Sequence, residues 1–253
     1  KTSFTNYYRS HPFSKQRLNQ LKKYKSNIKY APKTIKNILI NNNKISLEYI
    51  KNKINAYQFD LNKNFQNKEN NNKFLYNYSR IISSFKTGKY DLAQKYLKSI
   101  ENTYENYPYF FELSGDIYYK KGDFEKAIIE YKKAIKINNE QFNPSTDLIK
   151  YSLVKSYIQT NKKNHINEAI ICLEQILQNN PKWSYLWRLL AKSSSKINKK
   201  GISYIALAEE ALIKNNFIKA KKYIDLANKQ SSLPSSYKLR GEDILARMKI
   251  KNN

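Results

Sequence analysis

Three side chains in the 253 residues carry the imidazole or thiol chemistry recruited for metal ligation or nucleophilic attack near neutral pH: His11, His165 and Cys172. A helix that holds zinc needs two histidines one turn apart, with a glutamate beside them as general base, the HExxH pattern. Neither histidine stands in such a pattern. His11 precedes Pro12 in an irregular segment, and His165 lies in NKKNHIN between two expected helices, where it reads as a solvent-exposed turn residue. Cys172 lies between Ile171 and Leu173 on an expected helix and reads as a buried structural thiol. One cysteine permits no internal disulfide. No catalytic residue and no metal ligand is therefore assigned within this chain.

The net charge is +27, from 47 basic and 20 acidic side chains. Such a charge could attract nucleic acid or anionic membrane surfaces. Lysine supplies the excess and is spread along the sequence, together with much Asn, Ile and Tyr, as A- and T-biased codons would produce. Nucleic acid is thus not the expected partner, and a basic nucleic-acid-binding solenoid is kept only as an alternative. No apolar run approaches the ~20 residues of a membrane helix. The N-terminus is polar and basic, unlike a signal peptide, and begins at Lys1, which reads as a processed product or a fragment of a longer protein.

The elements are helical. Only 5 Gly and 6 Pro argue against a sheet-rich chain. In Tyr107 to Asn139, Phe111, Gly115 and Tyr118 share one helical face, and Ala127, Tyr131 and Ala134 share another. Pro108 suits a first helical turn, Gly122 ends the first helix, and Asp123 can cap the second. Gly88 and Ala93 stand 34 positions before Gly122 and Ala127, with Ile81 in place of Gly115. This order of large, small and aromatic residues resembles the tetratricopeptide repeat, a helical hairpin of ~34 residues that needs neighbours to bury its apolar face.

Later segments continue the pattern. TDLIKYSLVKSYIQT is expected to place Leu148, Tyr151, Val154 and Tyr157 on one side. Its partner NEAIICLEQILQNNP places Ala169, Leu173 and Ile176 at the repeat spacing, after a turn about three residues longer than before. Further helices are expected over about 184–197, 202–214, 217–230 and 235–249, the last closing the stack. Upstream, Ser46 to Asp60 is expected to be a helix with Leu47, Ile50, Ile54 and Tyr57 in an apolar stripe. The expectation is an all-α, right-handed α-solenoid of tetratricopeptide-type hairpins, preceded by a short helical segment. Its divisions are 1–61 (helical tail and linker helix), 62–73 (flexible linker) and 74–253 (solenoid with a capping helix).

Counted from the repeat, the inward side of the first helices begins with Tyr78 and Phe85, then Tyr109, Glu112, Asp116 and Tyr119. It continues with Tyr151 and Lys155, then Tyr185, Arg188 and Lys192. Aromatics mixed with Arg and Lys anchor polypeptide partners.

YYRSHPFSKQRLNQLK, together with the order of the later segments to LPSSYKLRGEDILARMK, resembles the C-terminal region of BepA-like zinc metallopeptidases related to HtpX. That resemblance implies a periplasmic location, outer-membrane assembly proteins or their substrates as partners, and Zn2+ in a full-length protein whose HExxH domain lies upstream. It places His11 near the zinc cleft, where it could be a regulatory ligand. A second expectation follows: the whole protein is a zinc metalloendopeptidase of which this chain is an inactive fragment.

Overall fold

The computed structural model describes residues 53–58, 73–100, 108–140 and 146–252. The chain divides into two compact units, Lys1–Phe59 and Asp60–Asn253. In the first unit residues 53–58 are helical, with Ile54 47% and Tyr57 40% exposed and Ala56 buried. Ile54 and Tyr57 are two of the four residues of the expected stripe. Leu47, Ile50, His11, the linker up to residue 72 and Pro144 lie outside the described residues.

Ten bounded helices make up the described part of the second unit, which contains no strand among the described residues. They are α1 (Lys73–Lys86), α2 (Tyr90–Ile100), α3 (Pro108–Lys120), α4 (Phe124–Glu140) and α5 (Asp147–Thr160). Then come α6 (Lys163–Asn179), α7 (Ser184–Lys196), α8 (Lys200–Ile213), α9 (Phe217–Asn228) and α10 (Ser235–Asn252). Each helix from α1 to α9 packs against the next in sequence, the arrangement of a tetratricopeptide-type solenoid.

One turn design builds the hairpins. Gly88, Gly122, Asn161, Asn198 and Asn215 all have positive φ, between 56° and 83°. That region clashes with a Cβ, so glycine, or asparagine with its short polar side chain, takes the position. The following amide reaches back to close the helix end: Lys89 N–H donates to Ser84 O at 2.8 Å and Asp123 N–H to Tyr118 O at 2.9 Å. Lys199 to Ser194 and Asn216 to Ala211 repeat the bond. Five residues after each turn stands a buried side chain: Ala93, Ala127, Ile166, Ser203 and Ala220.

This corrects the register expected for α6. The segment NKKNHI is not a long turn. Asn161 takes the left-handed position and α6 starts at Lys163, so His165 belongs to its first turn. Ile166, not Ala169, therefore occupies the position of Ala127, although both are buried. His165 is half-buried rather than solvent-exposed, its Nδ1 2.9 Å from Thr160 Oγ1 and its ring 5.2 Å from that of Tyr157. In α5 the buried face runs through Ile149, Leu153, Val154 and Tyr157, while Leu148 is 65% exposed. Cys172 is half-buried, and burial raises its thiol pKa.

The last helices depart from simple stacking. The turns at Asn198 and Asn215 are 17 positions apart, half a repeat. Helix α8 is thus the second helix of one hairpin and the first of another. It contacts α7, α9 and α10 and is buried on nearly every side, including Ile202, Ile205, Ala208 and Leu212. Helix α10 folds onto α8, with Gly241 against Ile205 and Ile244 fully buried. Glu209 of α8 is 3% exposed and accepts from Arg240 at 3.1 Å and Arg247 at 2.8 Å, both on α10.

Candidate interaction surface on the first helices

The residues expected to face a partner separate into three groups. Tyr78 is fully buried in α1, so its side chain offers no surface. The spacing that placed it inward is the one that packs it between hairpins. Phe85 and Tyr119 are half-buried and pair across their turns, Phe85 with Tyr90 at 5.9 Å and Tyr119 with Phe124 at 5.5 Å between centroids. Those rings clamp the same turn in two successive hairpins. Tyr109 and Glu112 are half-buried on α3. Asp116, also half-buried, accepts a 2.6 Å hydrogen bond from the Tyr131 hydroxyl and so braces the core of its own hairpin. Burial first, then this carboxylate, raises the Tyr131 pKa.

A second group is drawn together from three successive first helices. Lys155 Nζ lies 4.9 Å from the ring centre of Tyr151 and 5.5 Å from that of Tyr119. Tyr151 meets Trp183 at 5.7 Å and stands edge-on to Tyr185 at 6.3 Å. Tyr185 is 53% exposed. Burial, then the adjacent Tyr185 hydroxyl, pushes the Tyr151 pKa up to about 12. Helices α3, α5 and α7 thus contribute Tyr119, Tyr151, Lys155 and Tyr185 to one continuous patch, with Trp183 just before α7 beneath it. Offset aromatic contacts of this kind fix ring positions before any partner arrives.

The third group is polar. Arg188 and Lys192 are exposed on α7. Arg188 NH2 lies 2.6 Å from Glu210 Oε1, and Lys214 Nζ lies 2.5 Å from the same oxygen. Burial alone would raise the Glu210 carboxyl pKa, but the hydrogen bonds from Arg188 and Lys214 outweigh it and hold the pKa below the ordinary value. Glu210 and Lys214 were not anticipated as neighbours of Arg188. A signal existed. Twelve residues after each turn the sequence has Ile100, Ala134, Leu173 and Ala227, but after Asn198 it has Glu210. A carboxylate at an apolar repeat position calls for a cation beside it.

Among the described residues no three His, Cys, Asp or Glu side chains gather as a metal site would require. Among them, too, no helix is long and apolar enough to cross a membrane. No curated protein matches the chain. A family model described as TPR repeat matches residues 115–148, from Gly115 through α4 to the exposed Leu148 of α5.

Proposed function

We propose that this chain is a protein-interaction solenoid that binds an extended polypeptide segment across the first helices α3, α5 and α7. The observation that carries this reading is the aromatic and lysine patch of Tyr119, Tyr151, Lys155 and Tyr185, contributed by successive hairpins, with exposed Arg188 and Lys192 at its end. Aromatic rings lose little conformational freedom on binding, and cations beside them favour a segment carrying carboxylates. Selection from a peptide library, followed by calorimetry, tests it. A selected peptide should lose at least about tenfold in affinity on Tyr185→Ala or Lys192→Ala, the range of a single interface anchor. Peptides indifferent to both changes would refute it.

The finer reading is that the solenoid serves a periplasmic BepA-like zinc metallopeptidase and presents outer-membrane assembly proteins or their substrates to it. It rests on the order of segments from YYRSHPFSKQRLNQLK to LPSSYKLRGEDILARMK. The test is the gene product extended upstream of Lys1. It should contain an HExxH, bind one equivalent of zinc and digest casein until a chelator is added. Lack of zinc and of proteolysis there would discard this context while leaving the peptide-binding reading intact.

A further inference from the structure

The four turns after the first helices of the stacked hairpins, those at Gly88, Gly122, Asn161 and Asn198, lie along one edge of the second unit. Antiparallel hairpins joined by tight turns require this, and a ladder of side chains confirms it. Lys121 Nζ, in the second turn, reaches Asp91 Oδ1 at 2.7 Å and Gln94 Oε1 at 2.6 Å, at the start of α2. Lys162 Nζ, in the third, reaches Glu125 Oε1 at 2.6 Å, at the start of α4. Lys199 Nζ and Lys196 Nζ, in the fourth, reach Asn167 and Asn161 at 2.9 and 3.1 Å.

That edge is strongly basic. Segments 86–92, 120–126, 159–165 and 196–202 hold ten lysines, no arginine and three carboxylates. All ten lysines are exposed. The three carboxylates are already paired, Asp91 with Lys121, Asp123 with Lys126 and Glu125 with Lys162. Lys89, Lys120, Lys163 and Lys200 form no ion pair among the described residues, one from each turn. The charge that looks dispersed along the sequence is gathered here by the repeat period.

We infer that this edge is a docking surface for an anionic lipid bilayer. Lysine is a compact point charge that needs no fixed geometry, which suits mobile headgroups. Sequence-tolerant binding of single-stranded nucleic acid would call for exposed rings to stack on. The aromatic rings of these segments, Tyr90 and Phe124, are instead half-buried against Phe85 and Tyr119. Leu92, 38% exposed beside Lys89 and Lys121, supplies an apolar side chain of the kind that enters the headgroup region. The surface adjoins the first-helix patch at Tyr119 but uses other side chains and does not depend on peptide binding there.

Co-sedimentation of the full chain with phosphatidylcholine vesicles, with and without about a third phosphatidylglycerol, tests the inference. The chain should partition onto the anionic vesicles alone and leave them as salt rises. The variant Lys89→Gln/Lys120→Gln/Lys163→Gln/Lys200→Gln should lose at least about tenfold in partitioning. A variant with the same charge change at the other helix ends, Lys98→Gln/Lys136→Gln/Lys182→Gln/Lys219→Gln, should change it less than about twofold. Circular dichroism melts would show both variants folded. Equal losses in the two variants would overturn the inference, since net charge alone would then be acting. So would failure of the unaltered chain to bind anionic vesicles, or binding to polyuridylate in their place.

Discussion

The ring of Tyr131 fills the space that a Cβ on Gly115 would need: its Cε1 lies 2.7 Å and its Cδ1 2.8 Å from that position. Helices α3 and α4 cross closely there, and Tyr131 is almost completely buried. Gly115→Ala should therefore destabilise the chain by about 1–3 kcal/mol despite alanine's better helix propensity. Adding Tyr131→Leu should be less costly than the sum of the two single changes, because the clash is gone. A urea double-mutant cycle measures the coupling, and simple additivity would contradict the packing described.

Tyr131→Phe keeps the ring but removes the hydroxyl that donates to Asp116. A hydrogen bond to a charged acceptor contributes roughly 1.5–3 kcal/mol. We expect a loss toward the lower end of that range, since Asp116 is only half-buried and water can replace the donor. Denaturant midpoints with an unchanged slope would report it.

The turns give a test of backbone conformation. Gly122 has φ of 83° and nothing within 4 Å of an added Cβ, so Gly122→Ala meets strain without a steric clash. The expected cost is about 1–2 kcal/mol. Asn198→Gly, at φ of 63°, should cost nothing or stabilise slightly. A loss at Gly122→Ala with none at Asn198→Gly, read from thermal melts, would confirm that the left-handed geometry, not side-chain contact, selects these residues.

Acid should weaken the contact between α7 and α8. The Glu210 pKa is depressed in the fold, so its stabilising contribution is complete above its unfolded value near 4.5. That contribution is lost as pH falls through the lower folded value. Glu210→Gln should therefore melt earlier than the unaltered chain at pH 7, and the difference should shrink below pH 4.5. A gap that stays constant from pH 7 to 3 would remove Glu210 as the source.

Glu209→Ala should detach α10, because Arg240 and Arg247 both converge on that buried carboxylate. The loss should be about 2–4 kcal/mol, moderated by the partly exposed arginines. Proteolysis after α9 should accelerate in step, and an unaltered digestion pattern would show that apolar packing alone holds α10.

Much of this architecture could be read beforehand, because the repeat is written in sterically demanding positions. Gly88 and Gly122 with Ala93 and Ala127 give the period directly, and α1–α4 follow from them. The misreading at α6 came from asparagine doing glycine's work. Asn161 carries a left-handed conformation that the sequence does not advertise, so the turn reads as about three residues too long and His165 reads as loop. Leu148, Tyr151, Val154 and Tyr157 stand three residues apart, and steps of three drift around a helix of 3.6 residues per turn, so Leu148 leaves the face that buries Val154 and Tyr157. At the surface, spacing named the neighbours Tyr119, Tyr151, Lys155 and Tyr185. It could not say that Tyr78 would be sealed between hairpins, since periodicity gives direction and not depth. The lysine edge needed the fold, as its members lie far apart along the chain.

Helix α8 answers to three neighbours, whereas each hairpin before it leans mainly on those adjacent in sequence. Amide protons along α8 should accordingly exchange with deuterium only when the whole unit opens, and be the slowest to do so. Those of α1 and α2 can escape through local fraying that leaves the remainder intact. The molecule would then come apart in a fixed direction, from its early hairpins toward a late-surviving knot around Ile205 and Leu212.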